Sequence, residues 1–147
     1  MAAIRTAEVT WNGALLDGSG TIDYVTSGAF TRLPVTWASR TEAADGRTSP
    51  EELLASAHAA CYSMAFSAGL GRNGTPPTKL SVSATVTFDK LEAGWKVTSS
   101  ALKVRGTVPG IDAARFAELA EAAKDGCPIS GALKGNVALS VEATLEE

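Results

Sequence analysis

The sequence contains only two cysteines among its 147 residues, and it has no excess of positive charge. Two thiols in a chain of this size do not make a disulfide framework, so buried, reactive or metal-bound cysteines are expected. The net charge of −3 offers no basic surface for nucleic acid or for an anionic membrane. Residues 1–11 lack the apolar segment of a signal peptide, so none is predicted.

The chain also lacks internal repeats, low-complexity segments and linker-like stretches. Its apolar fraction of 45% is that of an ordinary globular protein. A chain of this length can bury roughly 70% of the surface that its unfolded form exposes. We therefore predict one domain spanning residues 1–147.

The longest regular pattern in the sequence is helical, and its start is well marked. Ser49 is suited to the N-cap, Pro50 to the first helical position, and Glu52 completes a capping box. Gly69 and Gly71 are predicted to end the helix. Between these ends, apolar and small residues surround the helix on nearly all sides, which predicts a long helix buried at the centre of the fold.

Polar residues interrupt this apolar stretch. Ser56, His58, Ser63 and Ser67 keep every apolar run well below the roughly 18 residues that a membrane-spanning helix needs. We therefore predict a core helix of a globular protein that does not enter a membrane.

Alternating apolar and polar residues predict strands on both sides of the central helix. Asn12-Gly13 predicts a two-residue turn, a change of phase at Ser99-Ser100 predicts a bulge, and Arg40 to Arg47 is predicted to be a loop. The pattern as a whole predicts an α+β fold with antiparallel strands around the long buried helix. The predicted strands cover residues 4–11, 14–26, 33–38, 80–88, 95–108 and 136–145, and a second helix covers 113–124.

Cys61 lies near the middle of the central helix. A free cysteine in such a position is more often an inert core residue than a reactive one. Reactivity requires the thiolate, and the helix dipole acts only within the first turn, so it does not activate a sulfur eleven residues after Pro50. A reactive Cys61 therefore needs a nearby cation.

Cys127 precedes Pro128, which opens a short helical turn. Backbone N–H groups at a helix start stabilise a thiolate and make the sulfur a better leaving group in thiol–disulfide exchange. Capping the turn is an equally supported role for Cys127. The separation of the two cysteines along the chain does not show whether their sulfurs meet.

His58 lies one turn before Cys61 on the same helix face. With the two cysteines it would supply three metal ligands, which are too few for a structural zinc site, and no fourth ligand stands at a metal-like spacing. We therefore predict no metal site and a hydrogen-bonded core histidine. A zinc-dependent hydrolase that uses these three residues is the alternative.

Residues 48–67, TSPEELLASAHAACYSMAFS, resemble the central-helix signature of the OsmC/Ohr family of thiol peroxidases, and of its OsmC branch in particular. Further similarity lies in VPGIDAARF at residues 108–116 and AKDGCPIS at residues 123–130. The resemblance covers nearly the whole chain. It implies an OsmC-like intertwined homodimer that resides in the bacterial cytoplasm and reduces organic hydroperoxides.

The resemblance also implies roles for four residues. Cys61 matches the peroxidatic nucleophile, Cys127 the resolving cysteine, Glu51 the acidic residue that opens the helix, and Arg40 the arginine of the preceding loop. Arg40 would lower the pKa of Cys61, with Glu51 holding the guanidinium through a bidentate pair. The two branches differ at the position of His58, which argues against catalysis by His58.

The implied reaction needs no cofactor. Attack of the thiolate on the peroxide releases an alcohol and leaves a sulfenic acid, which condenses with the second thiol to a disulfide. A dithiol reductant, dihydrolipoyl or similar, would restore the thiols. A redox sensor or a non-catalytic OsmC-like binding module on the same fold is the alternative, because fold does not determine function.

Apolar residues flank Cys61 on its own helix face. Leu54, Met64, Ala65 and Ala68 are predicted to form the walls that contact the substrate. Such walls favour bulky organic hydroperoxides over hydrogen peroxide, because burial of apolar groups contributes about 0.8 kcal/mol per CH₂.

Helix geometry separates two of the predicted site residues. Glu51 and Cys61 are ten residues apart, which at about 1.5 Å per residue is about 15 Å along the helix axis. We therefore predict that two central helices pack antiparallel in the dimer, so that Cys61 shares its site with Glu51 of the partner subunit. A helix break near Ala55–Ala57 is the alternative, although no Gly or Pro is present to cause it.

Overall fold

The computed structural model describes residues 1–147, and the chain divides into two units, Met1–Leu53 and Leu54–Glu147. Each unit contains one three-stranded sheet. The longest helix begins in the first unit and continues into the second. Two sheets and a long helix confirm the predicted α+β class.

The first unit contains strands β1 (Ala7–Asn12), β2 (Ser19–Val25) and β3 (Leu33–Val35), which pair antiparallel in that order. The predicted two-residue turn after β1 is wrong, because Asn12 pairs with Ser19 and six residues connect the strands. Within this connection the Gly18 N–H donates to the Ala14 carbonyl oxygen at 2.7 Å. A side chain at Gly18 would collide with that oxygen, so this glycine allows the longer loop.

A short helix replaces the predicted end of the third strand and the start of the predicted loop. Helix α1 covers Trp37–Thr41. The Thr36 hydroxyl accepts the Ser39 N–H, and the Ser39 hydroxyl oxygen accepts the Thr36 N–H, both at 3.0 Å. This capping box uses Ser where Glu or Gln is usual, which explains why the pattern was missed. Arg40 consequently lies in the last turn of a helix.

Helix α2 covers Pro50–Arg72 and starts as predicted. The Ser49 hydroxyl accepts the Glu52 N–H at 3.2 Å, and the Glu52 carboxylate accepts the Thr48 hydroxyl at 2.8 Å. The predicted end at Gly69 or Gly71 is early, because both glycines lie within the helix. The chain instead turns at residue 74, a glycine with φ of +81°.

One stripe of α2 is buried within the chain. His58, Tyr62, Phe66 and Leu70 are fully buried and recur every four residues, as one face of a helix requires. The prediction of burial on all sides is wrong for the single chain, since Met64 on another face is 72% exposed. By length and composition α2 would also suffice to cross a membrane, a property that core helices of soluble proteins share.

The second sheet contains β4 (Lys79–Leu91), β5 (Gly94–Thr107) and β6 (Ala138–Glu146) in that order. β4 and β5 are antiparallel as predicted, but β6 runs parallel to β5, because two helices return the chain to the starting end of β5. The predicted bulge is present, one residue before the predicted Ser99-Ser100. Thr87 pairs with Ser99 and Phe88 with Val97, so Thr98 is the extra residue.

Helices α3 (Ala113–Gly126) and α4 (Pro128–Leu133) connect β5 to β6. Asp112 caps α3 as predicted and accepts the Arg115 N–H at 2.8 Å. The ring of Phe116 on α3 packs against Phe66 of α2, with centroids 5.0 Å apart. This core holds Cys127, the single residue between the two helices, in a buried position.

Candidate active site

The two cysteines are adjacent in the second unit. The Sγ atoms of Cys61 and Cys127 are 3.1 Å apart, and both thiols are free. A disulfide bond is about 2.05 Å long, so a small movement of either side chain brings the sulfurs to bonding distance. The fold therefore joins two residues that lie sixty-six positions apart in the chain.

The surroundings of the two sulfurs push their pKa values in opposite directions. Burial raises the pKa of Cys61. The Ile129 N–H lowers this pKa, whereas the neighbouring Cys127 raises it. Burial also acts to raise the pKa of Cys127, but hydrogen bonds from the Ser130 N–H, the Cys61 thiol, the Ser130 hydroxyl and the Ile129 N–H together lower it. Within this chain the negative charge is therefore more stable on Cys127.

The lowered pKa of Cys127 has the direction expected beside a helix start, whereas the Cys127 side chain makes no cap hydrogen bond to α4. The raised pKa of Cys61 agrees with the prediction that the position of Cys61 in α2 does not activate its thiol. Ile129 and Ser130 were not predicted as site residues, because a backbone N–H leaves no mark in the sequence.

His58 is a buried histidine with a hydrogen bond at each ring nitrogen, as predicted for a core residue. Its Nδ1 lies 2.7 Å from the Ser100 hydroxyl oxygen, and its Nε2 lies 2.8 Å from that of Ser130. Burial lowers the pKa of His58, so the ring is neutral near pH 7. Because serine hydroxyls occupy both nitrogens, the alternative in which His58 binds zinc would require breaking one of these bonds.

Arg40 and Glu51 form the predicted bidentate pair in the first unit. The Arg40 Nε lies 3.0 and 3.1 Å from the two carboxylate oxygens of Glu51, and Nη2 lies 2.8 Å from Oε1. Glu51 is 8% exposed, so its carboxylate is largely removed from water. The Arg40 Cζ also lies 5.8 Å from the centroid of the Trp37 ring, a contact that was not predicted.

Arg47, which also lies near Arg40 in the sequence, is engaged differently. The Nη1 of Arg47 lies 3.0 Å from the Asp45 carboxylate, in an exposed pair. Exposed pairs of this kind contribute little stability and leave the guanidinium in water.

A groove of about 640 Å³ lies beside Cys61 in the second unit. Met64, Ala65 and Ala68, three of the predicted substrate contacts, line it. Leu54 lies outside the lining, because the groove follows the later turns of α2. A space of this size is typical of sites for small organic molecules, and Cys61 is among the residues that line it.

Comparison with known proteins agrees with this arrangement. The family model described as OsmC-like protein matches residues 43–142. Peroxiredoxin OsmC of Escherichia coli (strain K12) is 40% identical over 142 residues, covering 97% of this chain and 98% of the relative. An organic hydroperoxide resistance protein of Xanthomonas axonopodis pv. citri (strain 306) is 31% identical over 91 residues, or 61% of this chain and 62% of the relative.

A solved structure shows the same fold. The crystal structure of the organic hydroperoxide resistance protein OhrB of Bacillus subtilis has a TM-score of 0.73 and 27% identity, and the match covers 95% of this chain and 98% of that one. The family model and the near full-length relative both include the central helix and the segment around the second cysteine. This chain therefore belongs to the OsmC-like protein family.

Proposed function

We propose that the protein is a thiol-dependent peroxidase, an oxidoreductase that reduces organic hydroperoxides to alcohols through a Cys61 sulfenic acid and a Cys61–Cys127 disulfide. The observation that carries the proposal is the 3.1 Å separation of two free sulfurs beside a groove. Relatives named peroxiredoxin and organic hydroperoxide resistance protein support it.

The reaction divides into three steps that balance. The Cys61 thiolate attacks the O–O bond, the alkoxide leaves and takes up a proton, and the sulfur becomes a sulfenic acid. The Cys127 thiolate then attacks that sulfur, an S–S bond forms, and hydroxide leaves and takes up a proton to become water. A dithiol, dihydrolipoyl or similar, supplies two electrons and two protons to restore both thiols.

The first step needs the negative charge on Cys61, whereas burial raises the pKa of that thiol. A cation within about 4–6 Å of a thiolate lowers its pKa, and the Arg40 guanidinium, fixed by Glu51, is our candidate. In this proposal Arg40 moves the charge from Cys127 to Cys61 and orients the peroxide. Cys127 then keeps the role of resolving thiol.

Two features of α2 support a homodimer in which the site is shared. The helix runs from Pro50 to Arg72 as one element, so Glu51 and Cys61 remain about 15 Å apart along its axis. The face that carries Met64 is exposed although it is apolar. We propose that two α2 helices pack antiparallel, so that the Arg40–Glu51 pair of one subunit serves Cys61 of the partner subunit.

The proposal also includes the residues that contact the substrate and the location of the protein. Met64 and Ala65 line the groove and would contact the organic part of the hydroperoxide. The cycle depends on a reducing compartment, which favours a cytoplasmic location.

The deciding experiment measures hydroperoxide consumption with dihydrolipoamide as reductant, in parallel with thioredoxin. We expect continuous turnover of cumene hydroperoxide with the dithiol. Consumption of one equivalent followed by arrest, with either reductant, would instead identify a redox sensor. Metal analysis of the purified protein tests the zinc-dependent hydrolase, and stoichiometric zinc would favour that alternative.

A further inference from the structure

The two cysteines of the site differ in their access to the groove. Cys127 is 1% exposed and belongs to the hydrophobic core of the second unit. Cys61 is partly exposed and is one of the residues that line the groove. Gly126 and Pro128, the neighbours of Cys127 in the chain, also line the groove, whereas Cys127 itself does not. Within this chain the groove therefore gives access to Cys61 and not to Cys127.

Formation of the disulfide preserves this difference. The sulfurs are 3.1 Å apart and a disulfide bond measures about 2.05 Å, so a movement of about 1 Å closes the bond. The Tyr62 hydroxyl, on the residue after Cys61, donates to the Ala120 carbonyl oxygen at 2.9 Å and holds α3 against α2. So small a movement leaves Cys127 in the core. A partner subunit would cover more of the chain and would not uncover Cys127.

Reduction of a disulfide begins when a thiolate attacks one of its two sulfurs. The attacked sulfur keeps the incoming group as a mixed disulfide, and the other sulfur leaves as a thiolate. Access determines which sulfur is attacked, and a lower pKa makes a better leaving group. Cys61 is the accessible residue, and Cys127 has the lowered pKa, so both effects favour the same direction of attack.

We propose that the dithiol reductant enters the same groove as the hydroperoxide and attacks the Cys61 sulfur of the disulfide, so that Cys127 is the leaving thiolate. The inference rests on the proposed function, in which a dithiol restores both thiols. One thiolate of the dithiol forms a bond to the Cys61 sulfur, the Cys61–Cys127 bond breaks, and the Cys127 thiolate takes up a proton. The second thiol of the reductant, as a thiolate, then attacks the reductant sulfur bound to Cys61. A cyclic disulfide leaves, and the Cys61 thiolate is released for the next hydroperoxide.

The distance between the two sulfurs sets a condition on the reductant. After the first attack Cys127 remains next to Cys61, 3.1 Å away in the reduced protein, and can close the original bond again. This return expels the reductant. A second thiol on the same reductant molecule competes with the return because it needs no further encounter. A monothiol must wait for a second molecule, so it is expelled before reduction is complete.

The deciding experiment identifies the cysteine to which the reductant binds. The disulfide form is prepared with diamide, without peroxide, and treated with dihydrolipoamide in which one sulfur is methylated. This monothiol forms the mixed disulfide and cannot leave as a cyclic product. An acid quench stops the exchange, excess N-ethylmaleimide alkylates the free thiol in the unfolded protein, and mass spectrometry maps both groups. We expect the monothiol on Cys61 and the maleimide on Cys127, and the reverse assignment would overturn the proposal.

The matched control is the same reaction in urea, where the groove is absent. Both sulfurs are then accessible, and we expect comparable amounts of the two mixed disulfides. A preference for Cys61 that is as large in urea as in the folded protein would contradict the proposal, because the fold would not be selecting the sulfur.

Two alanines of α3 test whether the dithiol uses the groove. Ala122 lines the groove and Ala117 does not, and both are exposed, so a phenylalanine at either position leaves the core intact. We expect Ala122→Phe to slow the reaction with cumene hydroperoxide and the reduction of the disulfide by dihydrolipoamide, each by about tenfold, the value of two methylene groups displaced from the groove. Ala117→Phe should change neither rate. Reduction of the disulfide at the parent rate in Ala122→Phe would contradict the shared groove.

Failure of this proposal and failure of the peroxidase function are distinguishable. The mapping and the reduction rates start from a disulfide formed without peroxide, so they report which sulfur the reductant reaches. A protein that lacks peroxidase function would instead fail to consume hydroperoxide as the wild type.

Discussion

Removal of the Arg40 guanidinium tests the proposed activation of Cys61. Three N–H···O contacts of 2.8–3.1 Å fix this group on Glu51. Burial raises the pKa of Cys61, so without a cation the thiol is protonated near pH 7. A nearby cation lowers such a pKa by about 1–3 units. We expect Arg40→Ala to reduce the Cys61 thiolate, and kcat/KM for hydroperoxides near pH 7, by about tenfold to a thousandfold.

The pH dependence gives the sign of this effect. Because Arg40→Ala raises the pKa of Cys61, the lost reactivity should return as the pH rises through the new value. The assay is the alkylation rate of Cys61 against pH in a Cys127→Ser background. Arg40→Lys is the matched variant, since it keeps the charge and loses the bidentate geometry, and should retain most of the lowered pKa.

A change in folding must be separated from a change in activation. Arg40→Ala leaves the largely buried Glu51 carboxylate unpaired, which costs about 3 kcal/mol in a buried pair and less here because Arg40 is partly exposed. The double variant Arg40→Ala/Glu51→Ala removes that unpaired charge. If both proteins are folded and the alkylation midpoint is unchanged, Arg40 is not the cation. The candidates are then Arg32 and Arg47, the two arginines nearest to Arg40 in the sequence.

Three further predictions follow from the thiol pair, the groove and α2. Cys61→Ser should abolish peroxidase activity. Cys127→Ser should consume one equivalent of hydroperoxide and stop at a sulfenic acid that dimedone traps. Turnover of Cys127→Ser at the wild-type rate would contradict the resolving role of Cys127. Cumene hydroperoxide should exceed hydrogen peroxide in kcat/KM by about tenfold, the value of two buried methylenes, and equal values would contradict an apolar substrate site. Co-expressed Glu51→Ala and Cys61→Ser chains should regain activity in mixed dimers, whereas heterodimers as inactive as either homodimer would show that Glu51 acts within its own chain.

The sequence predicted the elements whose causes are local. The Ser49 cap of α2 and the Asp112 cap of α3 depend on residues within one turn, and both hydrogen bonds are present. The alternation in β4 and β5 likewise depends on the period of a strand. The hairpin loop after Asn12 was predicted incorrectly, because a local turn preference yielded to a register in which Asn12 pairs with Ser19.

The site itself could be predicted only in part. The family resemblance brought Cys61 and Cys127 together, and the Arg40–Glu51 pair was expected from the same source. Ser100 and Ser130 carried no signal, since isolated serines are common and these two approach His58 only through the folded sheet and α4. The exposed side of α2 was missed because its residues are as apolar as those of a core helix, and sequence pattern does not tell which neighbour covers them.

The parallel pairing of β6 has a consequence for how the protein is made. β6 follows α3 and α4 in the chain, so it cannot join β5 until the whole segment that carries Cys127 has left the ribosome. Contacts between distant parts of a chain form slowly, because a long loop must close first. The sheet of the second unit is thus completed last, and an emerging chain exposes both thiols before the fold has placed them side by side. An oxidant that acts during synthesis would therefore react with thiols that the fold has not yet placed next to each other.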